Sequence, residues 1–125
     1  MAAKTTINGV SEEPKLATVM CPRYEKAAGI LGKRWTGLII RALMDGPRRF
    51  NELLKIVELV SDRLLTERLR ELEGEGLVER IVYPESPVRI EYRLTAKGLA
   101  MKSVVDAIQE WASDWIDPAD DEANH

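Results

Sequence analysis

Between Phe50 and Leu94 the spacing of apolar residues changes twice, and this narrows the choice of fold more than any other feature. Phe50, Leu53, Leu54 and Val57 fall at i, i+3, i+4 and i+7, a helical stripe of about two turns. After the short link Glu58-Leu59-Val60, Ser61 supplies a good N-cap, and a second helix is expected from Asp62 to about Gly74. Leu65, Leu69 and Leu72, with Leu64 beside them, make one buried face of that helix. Arg63, Thr66, Glu67 and Arg70 recur at helical spacing on another, polar and exposed face. From Leu77 the period drops to that of a strand. Leu77 to Tyr83 is rich in Ile, Val and Tyr, Pro84-Glu85-Ser86-Pro87 is a turn, and Arg89 to Leu94 alternates strictly. A short helix, a tight turn, a second helix with a polar face and then a hairpin spell a helix-turn-helix followed by a wing.

The flanking segments complete the outline. Trp35, Leu38, Ile39, Ala42 and Leu43 form a helical stripe that Asp45-Gly46-Pro47 ends. Cys21-Pro22 is expected to open a first helix that runs to about Leu31, with Gly32 as its cap. Thr95 can cap a last helix from Ala96 to about Ile116, whose apolar stripe includes Met101, Val104, Val105, Ile108, Trp111, Ala112 and Trp115. The expected fold is mainly α with a small β-hairpin, in four parts. Residues 1–20 form a flexible arm, 21–95 a winged helix-turn-helix, 96–116 a dimerisation helix and 117–125 an acidic tail.

Composition excludes several classes. Of 125 residues one is cysteine, Cys21, and one is histidine, His125. A disulfide scaffold, a four-ligand zinc site and the usual nucleophile–histidine pairs are therefore not expected, and neither an enzyme nor a cofactor is. The segment Met1 to Gly9 has no apolar run behind its single lysine, so no signal peptide is expected, and no apolar run suits a membrane span. The expected location is the cytoplasm, in association with the nucleoid.

The net charge of −3 is unevenly distributed. Lys33 to Arg70 holds nine basic residues against five acidic ones, while Asp114, Asp117, Asp120, Asp121 and Glu122 gather at the C-terminal end. A basic segment that contains a helix-turn-helix fits double-stranded DNA. The N-terminal part of the second helix of such a motif meets base edges. Ser61, Asp62, Arg63, Thr66 and Glu67 are the candidate readers, joined by Arg70, with Arg63 best suited to a bidentate contact with guanine. Arg48, Arg49 and Lys55 are placed for phosphates, and Arg89 on the wing for a phosphate or the minor groove. A winged helix that binds protein rather than DNA is the alternative.

Several blocks carry a family resemblance: Gly32-Lys33-Arg34-Trp35, Gly46-Pro47-Arg48-Arg49-Phe50, Leu64-Leu65-Thr66-Glu67-Arg68-Leu69, Gly76-Leu77-Val78-Glu79-Arg80 and Val88-Arg89-Ile90-Glu91-Tyr92. In this order, over about residues 21 to 115, the chain resembles the HxlR-type helix-turn-helix regulators, relatives of the MarR-like winged helices. The resemblance implies a homodimeric bacterial transcription factor that pairs through its N-terminal region and last helix. Independently, Trp111 and Trp115 each carry ~150–250 Å² to bury, more than one small domain can cover. With Val104 and Ile108 they are the candidate dimer interface. Two-fold pairing would set two reading helices ~34 Å apart on a palindromic operator.

Cys21 matches the N-terminal cysteine that several members of the family use to sense oxidants or electrophiles. A helix start before Pro22, with Arg23 and Lys26 close by, would favour negative charge on the sulfur. Its other reading is an inert thiol packed at the dimer interface. The expected effector is accordingly an oxidant or a small molecule.

Overall fold

The computed structural model describes residues 13–119, with side chains from Cys21 onward. Its elements run α1 (Glu13–Leu31), α2 (Thr36–Leu43), α3 (Phe50–Ile56), α4 (Asp62–Gly74), β1 (Val78–Tyr83), β2 (Arg89–Leu94), α5 (Ala96–Leu99) and α6 (Lys102–Trp115). They divide into two units, residues 1–34 and 35–125. No described helix is long and apolar enough to cross a membrane.

In the first unit α1 begins at Glu13, eight residues before the expected start at Cys21-Pro22. The helix-opening proline is Pro14, in the first turn, where its missing N–H costs nothing. Pro22 lies inside the helix and withholds the N–H that would pair with the carbonyl four residues earlier. Residues 13–20, expected in a flexible arm, are helical, whereas residues 1–12 of that arm lie outside the described residues. The helix ends as expected at Gly32, whose N–H donates to the Ala28 carbonyl at 2.7 Å.

The second unit builds its core from one face of each element. Ile39, Ile40 and Leu43 of α2, Leu53 of α3 and Leu65, Leu69 and Leu72 of α4 are all buried. Leu77, Val78 and Leu94 close the core from the hairpin and Val105 from α6. Full burial of each such side chain stabilises the fold by ~1.5–3 kcal/mol. On α2 the expected Ile39, Ala42 and Leu43 are buried, but Thr36 and Ile40 complete the inward face where Trp35 and Leu38 were expected. Leu38 is 48% exposed and Thr36 takes the inward position assigned to Trp35. Trp35 precedes the helix, with φ of 79°.

β1 and β2 pair antiparallel, with Val78 opposite Leu94, Arg80 opposite Tyr92 and Tyr83 opposite Arg89. The alternation of strands therefore puts Val78, Arg80, Val82, Ile90, Tyr92 and Leu94 on one face, the face that joins the core. Glu79, Ile81, Tyr83, Arg89, Glu91 and Arg93 form the other. A third backbone segment joins this sheet at one point. Arg48 N–H donates to the Tyr92 carbonyl at 2.9 Å, and Tyr92 N–H donates back at 2.8 Å.

The last helix is broken, contrary to the expected continuous run from Ala96 to Ile116. Thr95 caps α5 as expected, its hydroxyl accepting from Gly98 N–H at 3.1 Å. Met101 N–H then bonds to the Gly98 carbonyl at 3.0 Å, a tighter i→i−3 closure, before α6 begins. The cause is local. Gly98 is pressed against the Leu77 backbone at the start of the hairpin, where a Cβ would collide with the Leu77 oxygen. The same corner is tied by Thr95 N–H to the Leu77 carbonyl at 3.0 Å and by Lys97 Nζ to the Glu75 carbonyl at 2.6 Å. From there α6 returns to α2, where Arg41 donates to Gln109 Oε1 at 2.6 Å.

Candidate nucleic-acid interface

The turn between α3 and α4 is held by its ends. Val57 and Val60 are buried, and Val60 N–H donates to the Val57 carbonyl at 3.4 Å. Between them Leu59 is exposed and adopts φ of 75°, a left-handed conformation that a side chain resists. Ser61 then caps α4 as its sequence predicts, with Leu64 N–H donating to Oγ at 3.1 Å and Leu65 N–H to the Ser61 carbonyl at 2.9 Å.

With Leu65, Leu69 and Leu72 turned inward, α4 presents the opposite face to solvent. The Arg63 side chain is 91% exposed, and its one partner charge among the described residues, Glu67, lies 3.9 Å away on the same face. An exposed i,i+4 pair of this kind stabilises by only a few tenths of a kcal/mol, so Arg63 is free to swing onto a ligand. Thr66 donates its hydroxyl to the Asp62 carbonyl at 2.8 Å and retains its lone pairs for an incoming donor. Ser61, Asp62 and Arg70 are exposed on the same helix. Five of the six candidate readers are thus on α4, and the sixth, Ser61, is its cap.

The basic residues expected at the DNA backbone are more dispersed. Arg49 and Lys55 are exposed on α3 and its approach, and Arg49 N–H is capped by Glu52 Oε1 at 2.7 Å. Arg48 is two-thirds buried and donates through Nε to the Ala42 carbonyl at 3.3 Å, which closes the C-terminus of α2. Its guanidinium also sits 4.0 Å from Asp45. Arg89 belongs to the hairpin face that points away from α4. It is clamped between Glu85 at 2.9 Å and Glu91 at 2.8 Å and lies 3.9 Å over the Tyr83 ring. Hydrogen bonding to Glu85 first, and then Glu91, pushes the Arg89 pKa up, and Glu79 does the same for Arg93 from 2.8 Å.

Two residues absent from the sequence-based set lie beside α4. Arg80 of β1 and Tyr92 of β2 face each other and, with Thr66, Leu69, Arg70 and Glu73 of α4, line a cleft of about 370 Å³. The signal was the period-two pattern of β1. Val78 is in the core, so Arg80 two residues on must share its face.

The order of elements and this exposed helix match a known group. The family model for HxlR-like helix-turn-helix proteins matches residues 30–120. The chain belongs to the HxlR-like helix-turn-helix family. Among HxlR-like relatives, the HTH-type transcriptional regulator YodB of Bacillus subtilis is 48% identical over 105 residues, 84% of this chain and 94% of YodB. YvaP of the same organism, an uncharacterised HTH-type transcriptional regulator, is 53% identical over 80% of this chain and 93% of its own. The solved structure of reduced YodB superposes with a TM-score of 0.72 at 49% identity, over 79% of this chain and 97% of YodB. YodB has also been solved bound to quinone, with a TM-score of 0.68 at 46% identity, over 77% of this chain and all of YodB. The redox regulator HypR in its oxidised form superposes with a TM-score of 0.71 at 36% identity, covering 76% of this chain and 98% of HypR. This HxlR-like membership favours a DNA-binding regulator over a winged helix that binds only protein.

Cys21 lies in the first unit, half-buried and in the middle of α1 rather than at its start. The helix-terminus field expected at its sulfur is therefore absent, because that field fades within the first turn.

Proposed function

We propose that the protein is a sequence-specific transcriptional regulator that binds palindromic double-stranded DNA as a homodimer. The observation that carries this reading is the division of α4 into a buried leucine face and an exposed face where Arg63 is held only by a long, solvent-exposed pair with Glu67. Such a helix fits the major groove, about 12 Å wide, and leaves its polar side chains against base edges. In this reading Arg63 reads guanine, Ser61, Asp62, Thr66, Glu67 and Arg70 flank it, and Arg49 and Lys55 hold phosphates. Selection of bound duplexes from a random pool tests the reading: an inverted repeat with half-sites about one helical turn apart is expected. Recovery of no enriched sequence at low salt, or equal enrichment by the Arg63→Ala, Arg70→Ala double variant, overturns it.

The homodimer reading is supported by α6, where Val104, Ile108, Trp111 and Trp115 are exposed in the single chain. A response through Cys21 is a second proposal, supported by the reduced and quinone-bound states in which YodB has been solved and by the oxidised state of HypR. Treatment with diamide should change operator affinity in the native protein and not in Cys21→Ser. Unchanged affinity with Cys21 verified as modified would leave the cysteine a packing residue.

A further inference from the structure

We propose that Arg70, Arg80 and Tyr92 form a seat for one phosphate of the DNA backbone, between the reading helix and the wing. The inference rests on the DNA-binding reading, adds Arg80 and Tyr92 of the wing to it, and assigns Arg70, at the edge of the reading face, to the DNA backbone instead of to bases. Arg70 comes from α4 and Arg80 and Tyr92 from facing positions of β1 and β2, so donors approach one cleft from two elements. Neither Arg70 nor Arg80 has an ion-pair partner within 4.0 Å among the described residues. This sets them apart from Arg89 and Arg93 on the other hairpin face, which carboxylates hold at 2.8 to 2.9 Å. A fold that pairs the outer arginines and leaves these two unpaired has charge available at this place.

The charge balance indicates which anion fits. Two guanidinium groups and the Glu73 carboxylate leave the cleft with a single positive charge, the complement of a phosphodiester. A phosphate monoester, closer to two negative charges at neutral pH, would meet the Glu73 carboxylate without full compensation. The tyrosine hydroxyl adds a neutral donor, and the Thr66 hydroxyl, which already donates to the Asp62 carbonyl, remains an acceptor at the edge. Such a contact fixes position without reading bases.

The test uses the full-length protein and a fluorescent random-sequence duplex at a series of salt concentrations, beside the duplex selected from the random pool. Arg70→Ala and Arg80→Ala should each weaken binding to the random duplex on the order of tenfold. Arg80→Ala should weaken both duplexes alike, and Arg80→Lys should recover most of the loss. Because both arginines serve one phosphate, the double variant should lower the salt slope by about 0.9, one counterion, and neither single variant by that much. A double variant that loses about twice that slope means separate phosphates and overturns the shared seat. Loss on the selected duplex alone makes Arg80 a base reader and overturns it too, as does no loss at all. Arg93→Ala, on the other hairpin face, should leave affinity unchanged, and an equal effect there reduces the seat to bulk charge. Inorganic phosphate at matched ionic strength should not compete, whereas saturable competition assigns the cleft to a free anion instead. Failure of the native protein to bind either duplex refutes the DNA-binding reading itself, an outcome separate from all of these.

Discussion

Arg63 and Arg68 sit five positions apart on one helix and have opposite surroundings. Arg68 is 14% exposed, with Glu71 at 3.3 Å and Glu67 at 3.8 Å, whereas Arg63 is 91% exposed. Loss of Arg68 removes packing of its stem as well as its ion pairs. Arg68→Ala should therefore lower stability by about 1 kcal/mol with little change in the preferred base. Arg63→Ala should leave the melting temperature unchanged and cost ~1–3 kcal/mol of discrimination at one base pair. Thermal unfolding and binding to point-substituted duplexes separate the two. A leucine makes a third case. Leu59 pays roughly 1–2 kcal/mol for its left-handed backbone at an exposed turn. Leu59→Gly should be neutral or stabilising by up to about 1 kcal/mol in urea titration, because relief of that strain outweighs the added freedom of the unfolded chain. Leu59→Val should destabilise.

Among the elements, those whose pattern had a single solution were legible in the sequence. The α4 leucines, the Ser61 cap and the alternation of β2 each allowed one placement, and each is found there. α2 was ambiguous because both candidate stripes are apolar, and the choice fell to tertiary packing that admits Thr36 and excludes Leu38. The start of α1 was misjudged because two prolines, Pro14 and Pro22, could each open a helix, and only local continuity distinguishes them. The break between α5 and α6 had no periodic trace, since its cause is the approach of Gly98 to Leu77, a contact distant in sequence. Arg80 went unseen for a related reason: the period-two pattern of β1 puts it on the face of Val78, but that this face meets α4 follows only from tertiary packing. The glycine yields a firm expectation. Gly98→Ala drives a methyl into backbone rather than into a flexible side chain, so it should cost about 3 kcal/mol or more, or prevent soluble expression. A stability within 1 kcal/mol of the native protein, by denaturant unfolding, would show that the corner can give way.

For the whole molecule, the proposed pairing and the proposed DNA contacts meet through α6. Trp111 and Trp115 are 60% and 75% exposed in the single chain, beside exposed Ile108. Aromatic anchors of this size dominate interfaces when covered. Trp111→Asp should shift sedimentation from dimer to monomer and reduce affinity for a palindromic duplex far more than for a single half-site. A dimer that survives Trp111→Asp together with Ile108→Asp would place the interface elsewhere. Affinity should also fall steeply with salt despite the net charge of −3, because the phosphates meet the local basic segment and not the average surface.

The paired hydrogen bonds between Arg48 and Tyr92 have a consequence for control. Tyr92 lines the cleft with its ring while its backbone is stitched to the residue that leads into α3 through Arg49. The wing is therefore tied by backbone bonds to the entry of α3, the first helix of the motif. In the proposed dimer, an inducer has least purchase at that tied corner. In that reading its lever is aim, the distance and angle between the reading helices of the two proposed partners, so release from DNA is a matter of lost alignment along the duplex while each half keeps its shape.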